Sequence, residues 1–110
     1  MNDILFEDFQ KTDLRVGTII EVKEFPQAKK PAYQLVIDFG PIGIKQSSAQ
    51  ITSLYSIEDL LEKQVVANVN FAPKQIANFK SECLILGGVS GNDVILLEPS
   101  LHTPNGSSVQ

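Results

Sequence analysis

The sequence predicts an all-β fold with short helices: a five-stranded antiparallel Greek-key barrel with one helix between its third and fourth strands. Short runs that alternate apolar and polar residues recur along the 110-residue chain. Clusters of Gly, Pro, Asn, Asp and Ser separate those runs, and one capped helical stretch follows the third of them. A hydrophobic content of 43% with 20% charged residues is enough for one core without staples, so residues 1–110 are expected to form one domain.

Residues 3–10 are expected to form a short helix within an N-terminal helical segment (1–12), with Asp3 near its start and Leu5, Phe6 and Phe9 on one side. "LRVGTIIEVKEF" (14–25) alternates as a long strand, with Val16, Thr18, Ile20 and Val22 on one face and Gly17 marking a bend or bulge. The two prolines of "PQAKKP" end it, because proline cannot donate to a central ladder. "YQLVIDFG" (33–40) alternates again, with Tyr33, Leu35, Ile37 and Phe39 inward. Gly40-Pro41-Ile42-Gly43 then turns the chain into a third, more polar strand, "IKQSSAQI" (44–51).

Ser56 with Asp59 three residues later is a capping signal that opens the helix "IEDLLEK" (57–63), expected to bury Ile57, Leu60 and Leu61. "QVVANVNF" (64–71) reads as a fourth strand, residues 74–80 as a loop and "CLILGGV" (83–89) as a fifth strand. "DVILLEP" (93–99), after Ser90-Gly91-Asn92, completes a hairpin, and the tail (98–110) is turn chemistry. A helix in the connection between the third and fourth strands is the order of the partly open barrel called the OB-fold.

Several function classes are disfavoured. His102 stands alone in a Pro/Gly/Ser-rich tail and Cys83 is the sole cysteine, so a zinc site would lack its usual ligands and no intrachain disulfide can form. Cys83 opens an apolar strand and reads as a small core residue. "GPIG" and "GGVSG" lack the following helix that a phosphate-cradling loop needs. An enzyme is therefore not expected, nor a cofactor or metal. The acidic start and its short Ile4-Leu5-Phe6 run do not make a signal peptide, and no run approaches the ~18 apolar residues of a membrane span. A cytoplasmic protein without membrane insertion is expected.

Binding is the better class. The net charge of −4 is uneven: residues 25–81 hold six lysines against four acids, whereas both ends are acidic. Between Lys63 and Lys80 no acid occurs, and this stretch holds most of "NFAPKQIANFKSE" (70–82), whose sole acid is Glu82 at its end. A loop here borders the groove in which OB barrels hold extended ligands. Asn70, Lys74, Phe79, Lys80 and Ser81 are its candidate residues, with Phe79 offering a flat face. The alternative is that Ile76 and Phe79 plug the barrel end. Lys45, Ser47 and Ser48 on the polar third strand are further candidates, against the reading of an ordinary solvated face. Lys29 and Lys30 lie in the first inter-strand loop, the other rim of such a groove, where lysines also serve solubility.

Four ordered blocks carry a resemblance: "DLRVG" (13–17), "FPQAKKPAYQLVIDFG" (25–40), "GIKQSSAQI" (43–51) and "NFAPKQIANFKSECLILGG" (70–88), with "TPNG" (103–106) in the tail. Together they resemble the CsaA-type secretion chaperones, which carry a structure-specific tRNA-binding domain. The wider family includes free-standing tRNA-binding proteins and extensions of methionyl-tRNA synthetases. Its last block reads roughly N-L-K-P-x-K-M-R-G-x-x-S, which Asn70, Pro73 and Ser81 match. The family's basic positions fall on Ala72, Gln75 and Ala77 and its glycine on Asn78, with Lys74 and Lys80 as partial substitutes. Ser48 matches the serine of a V-S-G segment.

The resemblance implies an OB barrel in a homodimer joined near both termini; the apolar side of Leu5, Phe6 and Phe9 suits such an interface, the alternative being that this short helix plugs its own barrel. It also implies an export-related chaperone whose groove holds unfolded preproteins, with the SecA translocase ATPase as a partner. The alternative is a tRNA-binding protein acting in trans. An acidic chain suits basic clients and opposes the approach of RNA.

Overall fold

Strict alternation builds the centre of the structure, a computed structural model that describes residues 1–110. Strand β1 (Leu14–Glu24) pairs with β2 (Tyr33–Asp38), and β2 with β3 (Ile44–Ala49). Strand β4 (Gln64–Asn68) adds to the other edge of β1, and the short β7 (Leu84–Ile85) adds to β4. The sheet order is therefore β3-β2-β1-β4-β7, all antiparallel. This is a five-stranded, nearly closed OB-like barrel. Two further hairpins stand beside it: β5 (Lys74–Ile76) with β6 (Phe79–Ser81), and β8 (Gly87–Ser90) with β9 (Asp93–Leu96).

Tyr33, Leu35, Ile37 and Phe39 all point into the core as their period of two requires, the last three fully buried. On β1 the expected face is wrong over half its length. The register with β2 slips between Ile19 and Glu21, so Ile20 is the extra residue of a bulge and lies exposed. Gly17 and Ile19 face inward before the slip and Val22 after it, which a uniform alternation cannot give. Gly17, expected to mark the bulge, has another role: a Cβ there would lie 2.7 Å from Ile37 and from the Phe39 ring.

Helix α2 (Ile57–Leu60) sits between β3 and β4. Ser56 Oγ accepts the Asp59 N–H (3.2 Å), and the Asp59 carboxylate accepts the Ser56 N–H (3.0 Å). These reciprocal bonds hold the Asp59 carboxyl below its ordinary value. Leu60 is fully buried as expected, but Leu61 is exposed because the helix ends there in an extended conformation. Replacing Ser56 by alanine should cost about 1 kcal/mol of stability in chemical denaturation, the usual worth of a lost N-cap.

Other expected boundaries shift for local reasons. Helix α1 (Phe6–Gln10) begins later than Asp3, at a Leu5 cap whose N–H is accepted by Asp8. Strand β4 stops at Asn68, not Phe71, because the Asn68 Oδ1 accepts the N–H groups of Asn70 and Phe71 (3.0 Å each) and turns the chain. The stretch expected as one strand over 83–89 divides: β7 pairs with β4, and β8 turns away to pair with β9.

The tail is more than a run of turns. Gly106 N–H donates to the Val16 carbonyl (2.7 Å), Val16 N–H to Ser107 (3.0 Å) and Val109 N–H to Leu14 (2.8 Å), so residues 106–109 line the edge of β1. Asn105 accepts from Thr18 (2.7 Å) and Gln64 (3.2 Å), and Gly106 adopts φ +89° against the Phe39 carbonyl. No helix is long and apolar enough to cross a membrane.

Candidate binding groove

The barrel closes between β3 and residues 80–83 almost without a ladder. Glu82 N–H donates to the Gln46 carbonyl (2.8 Å), while Gln46 N–H donates to the Glu82 carboxylate (3.0 Å) and its side-chain amide to the Lys80 carbonyl (2.8 Å). Ser47 Oγ donates to the Cys83 carbonyl (2.8 Å), and Ser48 N–H to Ser81 Oγ (3.3 Å). The polar residues of the third strand thus replace missing backbone pairing, and that explains serines and glutamine on a strand of a small barrel. Ser47 is buried and unavailable to a ligand.

Residues 74–80, expected as a loop, form with Ser81 a hairpin that has Ala77 and Asn78 at its tip. Opposite residues share a face, so Lys74, Ile76, Phe79 and Ser81 look one way and Gln75 and Lys80 the other. Lys74 and Lys80 therefore do not form one patch. Phe79 is buried against Phe25 (ring centroids 5.4 Å apart) and Ala32. Of the two readings of this ring, the plug describes where it sits. It pins the hairpin to the first inter-strand loop.

Between that loop, the hairpin and the end of β3 runs a groove made of two adjoining hollows of about 590 and 580 Å³. Ser48, Gln50, Lys74 and Ile76 line both. One hollow continues to Phe71, Ala72, Glu82, Cys83 and Leu84, the other to Lys29, Lys30, Gln75 and Ala77. This is the region between the first inter-strand loop and the connection after the fourth strand where OB barrels take extended ligands.

Of the expected site residues, Ser48, Lys74 and Ser81 line the groove. Lys45, Ser47, Asn70, Phe79 and Lys80 do not. Lys45 lies half-buried two residues before Ser47, and Asn70 ties the end of β4 to the N-terminal segment, donating to the Lys11 carbonyl (2.7 Å) and accepting from the Asp13 N–H (3.0 Å). Phe71, Gln50, Ile76 and Leu84 were not singled out as ligand contacts. For Phe71, Ile76 and Leu84 the only signal in sequence was an apolar residue near a strand end, which is common, whereas Gln50 lies in the polar stretch 44–51.

Cys83 is the free cysteine, buried under the groove. Burial pushes its thiol up to about 11, against a smaller pull from the Ser47 hydroxyl. The unfolded chain releases this proton near the ordinary 9.0 and the folded one near 11, so this contribution to stability is complete below pH 9 and is lost as pH rises toward 11. Alkylation at pH 8 should accordingly run far slower on the folded chain than on the denatured one; equal rates would place the thiol in solvent. No cluster of three or more His, Cys, Asp or Glu side chains is placed to hold a metal ion.

Residues 14–108 match the family described as "Putative tRNA binding domain". The chain belongs to this tRNA-binding-domain family. Among solved structures of the family's fold, it is 53% identical to the chaperone CsaA of Bacillus anthracis (TM-score 0.95), over 99% of this chain and 100% of that one. It is 51% identical to the CsaA chaperone protein of Picrophilus torridus (TM-score 0.92), over 98% and 100%. It is also 37% identical to the methionine–tRNA ligase of Pyrococcus horikoshii, over 100% of this chain but only 15% of the ligase. The tRNA-binding-domain match ties the chain to a binding unit and not to a catalytic one. Ala72, Gln75 and Ala77 line this groove as neutral residues.

Proposed function

We propose that this tRNA-binding-domain protein is an export-related chaperone, a cytoplasmic homodimer whose groove holds extended segments of unfolded preproteins. The SecA translocase ATPase is its proposed partner. The observation that carries the reading is the lining of the groove. Phe71, Ala72, Ile76 and Leu84 give it apolar surface, and three of the positions that line it are neutral where cations would favour RNA. The CsaA likeness supports the same reading.

The test is binding of an unfolded preprotein. Phe71→Ser with Leu84→Ser should weaken it about tenfold or more, because each half-exposed side chain covered by a client is worth roughly a kilocalorie. Unchanged affinity in the double variant would remove the groove from client binding. The second reading, tRNA bound in trans, is favoured by the family match and by Lys29, Lys30 and Lys74 in one place. Three phosphate contacts give a log–log salt slope of about −2 to −3, so RNA binding on this scale fades quickly toward physiological salt.

A further inference from the structure

The two ends of the groove differ in chemistry. At one end Phe71 is 57% exposed and Leu84 49%, with Glu82 beside them. At the other end stand Lys29 and Lys30, with Lys74 on the floor that both hollows share, and no carboxylate lines this second hollow. The ion pairs of the chain use Lys11, Arg15, Lys23 and Lys63, so these three lysines are left unpaired. Glu82 is partly occupied, since its carboxylate accepts the Gln46 N–H that closes the barrel. The net acidity of the chain lies elsewhere, in its terminal segments. A preference for basic clients, which overall charge suggests, is therefore opposite to what the groove itself offers.

We infer that the groove reads polarity along an extended polypeptide, seating apolar side chains between Phe71 and Leu84 and carboxylates among Lys29, Lys30 and Lys74. This rests on the polypeptide-binding reading above. Ser48, Gln50, Lys74 and Ile76 floor both hollows, so one continuous segment reaches both ends. A nucleic acid fits less well: it carries a charge at every nucleotide, whereas Lys29 and Lys30 stand at one end, Lys74 between the two hollows and a carboxylate at the other end.

The experiment uses fluorescein-labelled peptides about ten residues long, some 33 Å when extended. Each has the same apolar half, with an acidic, neutral or basic second half, in both chain directions. Fluorescence anisotropy should rank the acidic peptide about three- to tenfold tighter than the neutral one, as two or three screened surface pairs allow, and the basic peptide weakest. One chain direction should be preferred, and the ranking should flatten in high salt. Lys29→Glu with Lys30→Glu should invert the order of acidic and basic peptides; both residues are exposed, and an unchanged thermal midpoint checks the fold.

Affinities within twofold across the three peptides would overturn the polarity while Phe71→Ser with Leu84→Ser still weakened all of them. Absence of saturable binding by any peptide would overturn the polypeptide reading as well. Oligo(U) bound tighter than every peptide, and lost in the lysine variant, would assign the basic end to RNA.

Discussion

Replacing Phe39 by alanine is expected to lower the unfolding free energy by about 3–5 kcal/mol. The ring is fully buried and stands over Gly17, where a Cβ would lie 2.7 Å from its edge. In a domain of this size such a loss should lower the melting temperature by about 15 °C or more. Gly17→Ala alone should cost about 1–3 kcal/mol, because the added methyl has to push Ile37 and Phe39 out of their packed positions. With Phe39 already truncated, the same methyl meets only Ile37, which can shift into the space the ring has left. The double variant should therefore be more stable than the sum of the two single losses implies, by about 1 kcal/mol or more. Urea unfolding of the four proteins measures this directly. Strict additivity would mean that the glycine and the ring do not meet.

Carrying charge onto the N-terminal helix should have the second large effect. Phe6 is 72% exposed and stacks on Phe9 with ring centroids 6.4 Å apart; Ile4 and Leu5 beside them are exposed too. Phe6, Phe9 and Val109 share one hollow of about 290 Å³ where the helix meets the tail. An apolar surface of this kind is what the proposed homodimer would cover. Phe6→Asp with Phe9→Asp should raise the dimer dissociation constant about a hundredfold or more, since each carboxylate would be desolvated without a partner. Sedimentation velocity at micromolar concentration should then show a monomer. A dimer that survives both changes would lie on another surface, of which the exposed Val89, Ile95 and Leu97 are the next candidate. A wild-type chain that sediments as a monomer would end the proposal.

Much of the barrel was legible because its signals are local. The inward set Tyr33, Leu35, Ile37 and Phe39 follows from a period of two, and the Ser56–Asp59 cap from a spacing of three. The turn at Gly40–Ile42 and the β8–β9 hairpin follow from residues that tolerate the needed backbone angles. The bulge in β1 was not legible, since Ile19 and Ile20 are equally apolar and only the register with β2 decides which one is buried. The β5–β6 hairpin was hidden as well: its tip uses Ala77 at φ +51°, where a sequence would be expected to announce glycine.

The candidate site was read less well than the fold. Lys29, Lys30, Ser48, Lys74 and Ser81 come together around the groove, but Phe79 serves to hold its wall and Ser47 to close the barrel. An aromatic residue and a serine look alike in sequence whether they face a ligand or a neighbouring strand. The succession of strands and helix from β1 to β4, the capped helix, the lack of a second histidine or cysteine and the uneven charge were settled by the chain alone, because each is read from residues along the sequence. The split of Lys74 from Lys80 and the meeting of Phe71 with Leu84 were decided only by the closed barrel. Those relations join residues through strand register and burial, and neither is fixed until distant segments pack together.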